Sequence, residues 1–121
     1  MAIKALDVRP VPKGADGVAD PDCHIGVWEG FAATDTGAPY IEPGRADRSV
    51  QVVDLAGGSI FIEGGNDGVN FHTLTDGNGN DLEFTANGVK SVYEVVVYLR
   101  PRAGAGVTTG DVYLLARRPT R

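Results

Sequence analysis

Short runs in which apolar and polar side chains alternate, each closed by a cluster of Gly, Asn, Asp or Pro, leave this chain little choice but a β-fold. "SIFIEG" puts Ile60 and Ile62 on one face and Phe61 and Glu63 on the other. "RSVQVVDL" repeats the pattern with Val50 and Val52, and "DVYLLARR" repeats it with Val112, Leu114 and Ala116. A period of two marks a half-buried strand. "HIGVWEGFA" reads as a further strand, with Ile25, Val27 and Phe31 on one side and Trp28 on the other. "VNFHTLT" and "LEFTA" read as shorter strands around the turn-rich "DGNGND". "TDTGAPYIEPGRAD", which holds Pro39 and Pro43, reads as a long polar loop.

One stretch, "GVKSVYEVVVYLRP", fits two periods. Val89, Val92, Tyr93 and Val96 match a helix, while Tyr93, Val95, Val97 and Leu99 match a strand. Its density of β-branched residues predicts a strand. The chain is therefore predicted to be all-β, with seven or eight strands in a single antiparallel sandwich or barrel of jelly-roll order. The predicted core is Val50, Val52, Ile60, Ile62, Val95, Val97, Val112 and Leu114. At 121 residues, with 17 Gly and 7 Pro, the chain has the length of one domain and the turn formers that many short strands need.

Residues 1–24 show no sustained period. Pro, Gly and Asp interrupt them, yet Ile3, Leu6, Val8 and Val11 are apolar. The expectation is an extended N-terminal arm over residues 1–24, lying along its own surface or a partner's, with the sandwich domain over 25–121.

The tip "EGGNDGVNF" reads as a hairpin turn, because Asn, Asp and Gly tolerate the positive φ such turns require. Asn66-x-Gly68-x-x-Phe71 is also a degenerate Asp-box, a motif that is structural where it recurs. "DGNGNDLEF" offers Asp76, Asn78 and Asn80 at alternate positions, as a calcium loop would. It has Asp81 where that loop needs Gly and Asn87 where it needs a bidentate acid. Cys23 and His24 are adjacent, with His72 the only further histidine, which makes a poor zinc set and a poor nucleophile pair. A lone cysteine forms no intrachain disulfide and fits synthesis in a reducing compartment. No long apolar segment follows Met1, and no run is long enough to span a bilayer. The expectation is no enzyme, no cofactor, no metal and no membrane partner.

Net charge is −5, unevenly spread. Residues 1–89 hold 5 Lys/Arg against 14 Asp/Glu, whereas residues 90–121 hold 6 against 2. The acidic middle argues against a nucleic-acid partner. It leaves two readings open: a solvated edge, or charge complementarity between neighbouring copies.

The stretch from Ala46 to Arg118 resembles small structural proteins of tailed bacteriophages. In that family a Val-x-Val strand leads into "GSxxIEGSNDGxxW" and "xxLxD-xxGxxLxFT", followed by a "YLRP" strand and a terminal "LxARR" strand. This chain departs at Gly65, where Ser is familiar, and at Phe71, where Trp is. The resemblance implies a capsid decoration, or cement, protein that sits on the virion's capsid exterior after synthesis in the bacterial cytoplasm. Its partner would be the major capsid protein, bound by many copies with additive strength, each a dimer or trimer of this chain. Attachment would then fall to the arm residues Ile3, Leu6, Val8 and Val11 and to the basic end at Arg117, Arg118 and Arg121. A tail or head-completion component would look similar. A different class, a carbohydrate-binding module, would use Trp28, Tyr40, Phe71 and Tyr98 as stacking platforms, and Trp28 fluorescence would report its ligand.

Overall fold

Alternation becomes a core where two sheets meet. The computed structural model describes residues 1–12, 14 and 17–119. Strand β12 (Thr109–Arg117) turns Val112, Leu114 and Ala116 inward, all three fully buried. It lies between β6 (Asp47–Ala56) and β3 (Ala19–Trp28), with β10 (Gly88–Val92) beyond β6 and β2 (Asp7–Pro12) beyond β3. The facing sheet is built on β11 (Tyr98–Ala103) and β7 (Ile60–Gly65). Beside β11 lie the short strands β4 (Thr36–Gly37) and β5 (Tyr40–Ile41). Beside β7 lie β8 (His72–Thr73) and β9 (Glu83–Phe84). β1 (Ile3–Lys4) closes the edge next to β4.

With β1 and β2 set aside at the edges, and β4–β5 and β8–β9 each counted as one position, eight positions remain. The chain then runs between the sheets in jelly-roll order, β3-β12-β6-β10 against β4/β5-β11-β7-β8/β9. The fold is all-β, with no helix among the described residues. β1 and β4 run parallel, and every other ladder among the described residues is antiparallel.

The predicted core holds for Val50, Val52, Ile60, Ile62, Val112 and Leu114, all 0% exposed. It fails for Val95 and Val97. "GVKSVYEVVVYLRP" is two strands in different sheets, β10 and β11, and residues 93–97 cross between them. Val95 is 60% exposed and Val97 is half-buried. Both Val92 and Leu99 point inward, seven residues apart. An odd interval is impossible on one face of a single strand, so the chain must break in between.

Trp28, on the face opposite Ile25 and Val27 as its spacing predicts, is in the core together with Phe31, and its Nε1 donates to Ala38 O at 2.8 Å. Ile25 and Val27 line the outer face of the same strand. The expected loop over residues 34–47 contains β4 and β5, and Tyr40 on β5 is fully buried. The break between β4 and β5 lies opposite Pro101 of β11, a residue with no N–H to offer a neighbour. Gly37 is required here, because a Cβ would stand 2.7 Å from both the Pro101 ring and Trp28 Nε1.

The expected arm takes part in both sheets. β1 runs along β4, and β2 pairs with β3 from Asp7–Val27 to Pro12–Ala19. The boundary expected at residue 24 therefore falls inside β3, which begins at Ala19. Leu6 packs on the core and approaches Gly26, apolar burial that a free arm would forgo.

Candidate functional site

The hairpin tip is held by its own side chains. Asp67 Oδ1 accepts from Val69 N at 2.9 Å and from Asn70 N at 2.8 Å, and Oδ2 accepts from Asn70 Nδ2. Gly68, at φ 77°, takes the left-handed position the turn needs and lies under the Tyr98 ring. Asn66 Oδ1 accepts from Val97 N at 2.9 Å, which ties the hairpin to the crossover between sheets. The chemistry of "GGNDG" is thus consumed by the turn and its anchor.

The backbone N–H groups of Val69 and Asn70 hold the Asp67 carboxyl at a pKa of about 2, below its ordinary 3.8. A carboxylate whose pKa is depressed on folding stabilises the fold above its unfolded pKa, and that contribution is lost as pH falls through the folded value. Asp67→Ala should therefore melt earlier than the native chain above about pH 4, and the two melting temperatures should converge towards pH 2. A difference that persists unchanged at pH 2 would remove the carboxylate from the turn's energetics.

The neighbouring loop behaves alike. Asp76 Oδ1 accepts from Asn78 N at 2.8 Å and Asn80 N at 3.0 Å, which closes the loop on itself. Among the described residues, no three His, Cys, Asp or Glu side chains gather where a metal could sit. Cys23 and His24, neighbours on β3, point to opposite faces. The Cys23 thiol is buried, and burial pushes its pKa up, aided by Asp20, whose Oδ2 it meets at 3.6 Å.

On the outer face of the β11–β7 sheet, period two and register bring together residues that nothing in the sequence pattern had joined. Glu63 on β7 stands opposite Arg100 on β11, and Phe61 stands opposite Arg102. Glu63 is buried and accepts from Arg100 Nε at 2.6 Å and Arg102 Nε at 3.1 Å. Arg100 lies 3.8 Å from the Phe71 ring centroid, and Arg102 lies 4.4 Å from that of Phe61. The Phe-x-Glu and Arg-x-Arg spacings were visible; their pairing needed the register. Arg100, Arg102 and Arg117 of the basic tail thus meet acids of the same chain, Glu63 and Asp47.

The expected attachment residues are divided. Ile3 on β1 is 70% exposed and Val8 on β2 is 47% exposed, at the edges of the two sheets, while Leu6 and Val11 are half-buried. Ala2 N donates to Asp35 Oδ1 at 2.8 Å and Lys4 pairs with Asp35 at 3.7 Å, an anchor the sequence analysis missed. Arg117 binds Asp47, and Arg118 N donates to Asp22 O at 3.0 Å. These two lie along the start of β3, on the side away from Val11. Arg121 lies outside the described residues.

The rings considered as sugar platforms are mostly used internally. Trp28 and Tyr40 are core residues, and Phe71 meets Tyr98 edge to face at 6.5 Å. Trp28 fluorescence would therefore stay silent whether or not a ligand met the surface. No helix among the described residues is long and apolar enough to cross a membrane.

No family model matches the chain, and no curated protein matches it. Among solved structures, it is similar to a cupin domain from Bordetella pertussis Tohama I at 13% identity, covering 97% of this chain and 98% of that one, with a TM-score of 0.33.

Proposed function

We propose that this protein is a structural component of a tailed-phage virion that decorates the capsid exterior by binding the major capsid protein. The observation that carries the reading is the resemblance over Ala46–Arg118, whose motif residues hold framework positions. Asn66 and Asp67 fix the hairpin, "YLRP" belongs to the middle strand of one sheet and "LLARR" to the middle strand of the other. A body locked in this way leaves its edges for contact. The N-terminal strap formed by β1 and β2 supports that use, because Ile3 and Val8 leave apolar side chains exposed at both sheet edges. Many copies, each burying modest area, would gain their hold from the lattice. The role is non-catalytic and requires no cofactor.

The test is co-sedimentation of the purified protein with capsid shells that lack decoration. Saturable binding is expected, and an Ile3→Glu/Val8→Glu double variant, which alters exposed side chains only, should bind about tenfold more weakly. No binding by the native chain would overturn the capsid reading. Undiminished binding by the variant would move the contact off the strap.

A further inference from the structure

The outer face of the β12 sheet breaks the rule for an antiparallel sheet with one solvated side, which should read polar on that side. On β12 the outward residues are Asp111, Tyr113, Leu115 and Arg117, while the residues between them are buried. Half-buried Ile25 flanks Leu115 on β3, while Val27, beside Tyr113, is already buried within the chain. Val89 of β10, 63% exposed, continues the row through Gln51. A shallow groove runs between Ile25, Ser49, Gln51, Val89, Tyr113 and Leu115. Charges stand around this patch, at Arg9 with Asp7 and Glu29 and at Arg117 with Asp47. An uncharged centre inside a charged rim is the anatomy of a protein interface.

The occupant follows from the order of residues along β12, the middle strand of five. Asp111, Tyr113, Leu115 and Arg117 run from an acidic end through two apolar residues to a basic end. Turned over about a two-fold axis across the strand, the row matches itself. Arg117 of one copy meets Asp111 of the other, and Tyr113 of each meets Leu115 of the other. Such reciprocity is what an isologous contact requires.

Area agrees. Three central strands of 9 or 10 residues flanked by edge strands of 6 and 5 give a face of about 600 Å². A standard interface takes about 800 Å² from each partner. We propose that this face joins two copies of the chain into a closed dimer, sheet against sheet, with β12 on the axis. The dimer stands independently of the capsid reading.

Sedimentation velocity of the native chain at tens of micromolar should give twice the 12.7 kDa monomer mass. Leu115→Glu should weaken the dimer about a hundredfold, with an unchanged circular dichroism spectrum. Should that variant fold poorly, Val89→Glu, at an exposed position on the same face, should also weaken it. Register is tested by mixing Tyr113→Cys with Leu115→Cys chains, which should form a disulfide-linked heterodimer in preference to either homodimer. A monomeric native chain, a trimer, or a dimer indifferent to both acidic substitutions would overturn the proposal, as would capsid protein found on this face.

Discussion

Val52→Asp is expected to leave no folded protein, whereas Val95→Asp leaves a native circular dichroism spectrum and a melting temperature within a few degrees of the parent. Val52 is fully enclosed between the sheets, on β6 beside Val112. A carboxylate there has no cation within the apolar core, and burying it costs several kcal/mol, comparable to the roughly 5–15 kcal/mol that hold a domain together. Val95 carries the same side chain, sits in an equally β-branched stretch and is mostly in water, where a substitution shifts stability by about 0.5 kcal/mol or less. Unfolding of both variants would mean that residues 93–97 pack more deeply than the crossover describes.

Arg48→Leu should be the most costly change outside the apolar core, lowering the melting temperature by roughly 10 °C through a loss of about 2–4 kcal/mol. Arg48 is 3% exposed and has no carboxylate partner among the described residues. Its guanidinium donates to three carbonyls: Arg45 O at 2.8 Å, Glu42 O at 2.8 Å and Val96 O at 3.2 Å. It also stands 5.4 Å from the Tyr40 ring centroid. One side chain thus fastens the loop after β5 to the crossover into β11. Leucine restores the apolar volume and removes the buried charge, but takes a donor from all three carbonyls, of which Glu42 O keeps its bond from Arg45 N at 2.9 Å. Burial also lowers the Arg48 pKa, and nearby Tyr40 and Glu42 partly oppose that shift. Arg48→Lys should recover part of the loss, since an ammonium donates but lacks the planar fork and the stacking surface. If leucine melts as the native chain does, water or a rearranged loop satisfies those carbonyls.

The two substitutions mark where reading from sequence succeeds. Period two placed Val50, Val52, Ile60, Ile62, Val112 and Leu114 in the core, because alternation is a local consequence of strand geometry and each strand declares it alone. The turn at Asp67–Asn70 was legible for the same reason, since the hydrogen bonds of Asp67 close within four residues. Fold class followed, and the strand-to-turn spacing implied a jelly roll. Arg48 carried no such signal, for its three acceptors come from two segments that only folding brings together.

What only tertiary structure decided is the set of relations between distant segments. A β-branched run such as Tyr93–Val97 is extended both within a strand and between two sheets, so propensity could not distinguish a core strand from a crossover. The odd interval between Val92 and Leu99 becomes decisive only once both are known to point inward. Residues 1–12 read as an extended arm on a surface that could be the chain's own or a partner's, because their apolar residues lack a period, and pairing with β3 and β4 supplies the order they lack alone. The Glu63–Arg100–Arg102 cluster likewise depends on register between strands that lie 37 residues apart. Composition and period are written residue by residue. Register, crossover and the second face of a strand are properties of pairs, and the chain acquires them only when its sheets close on each other.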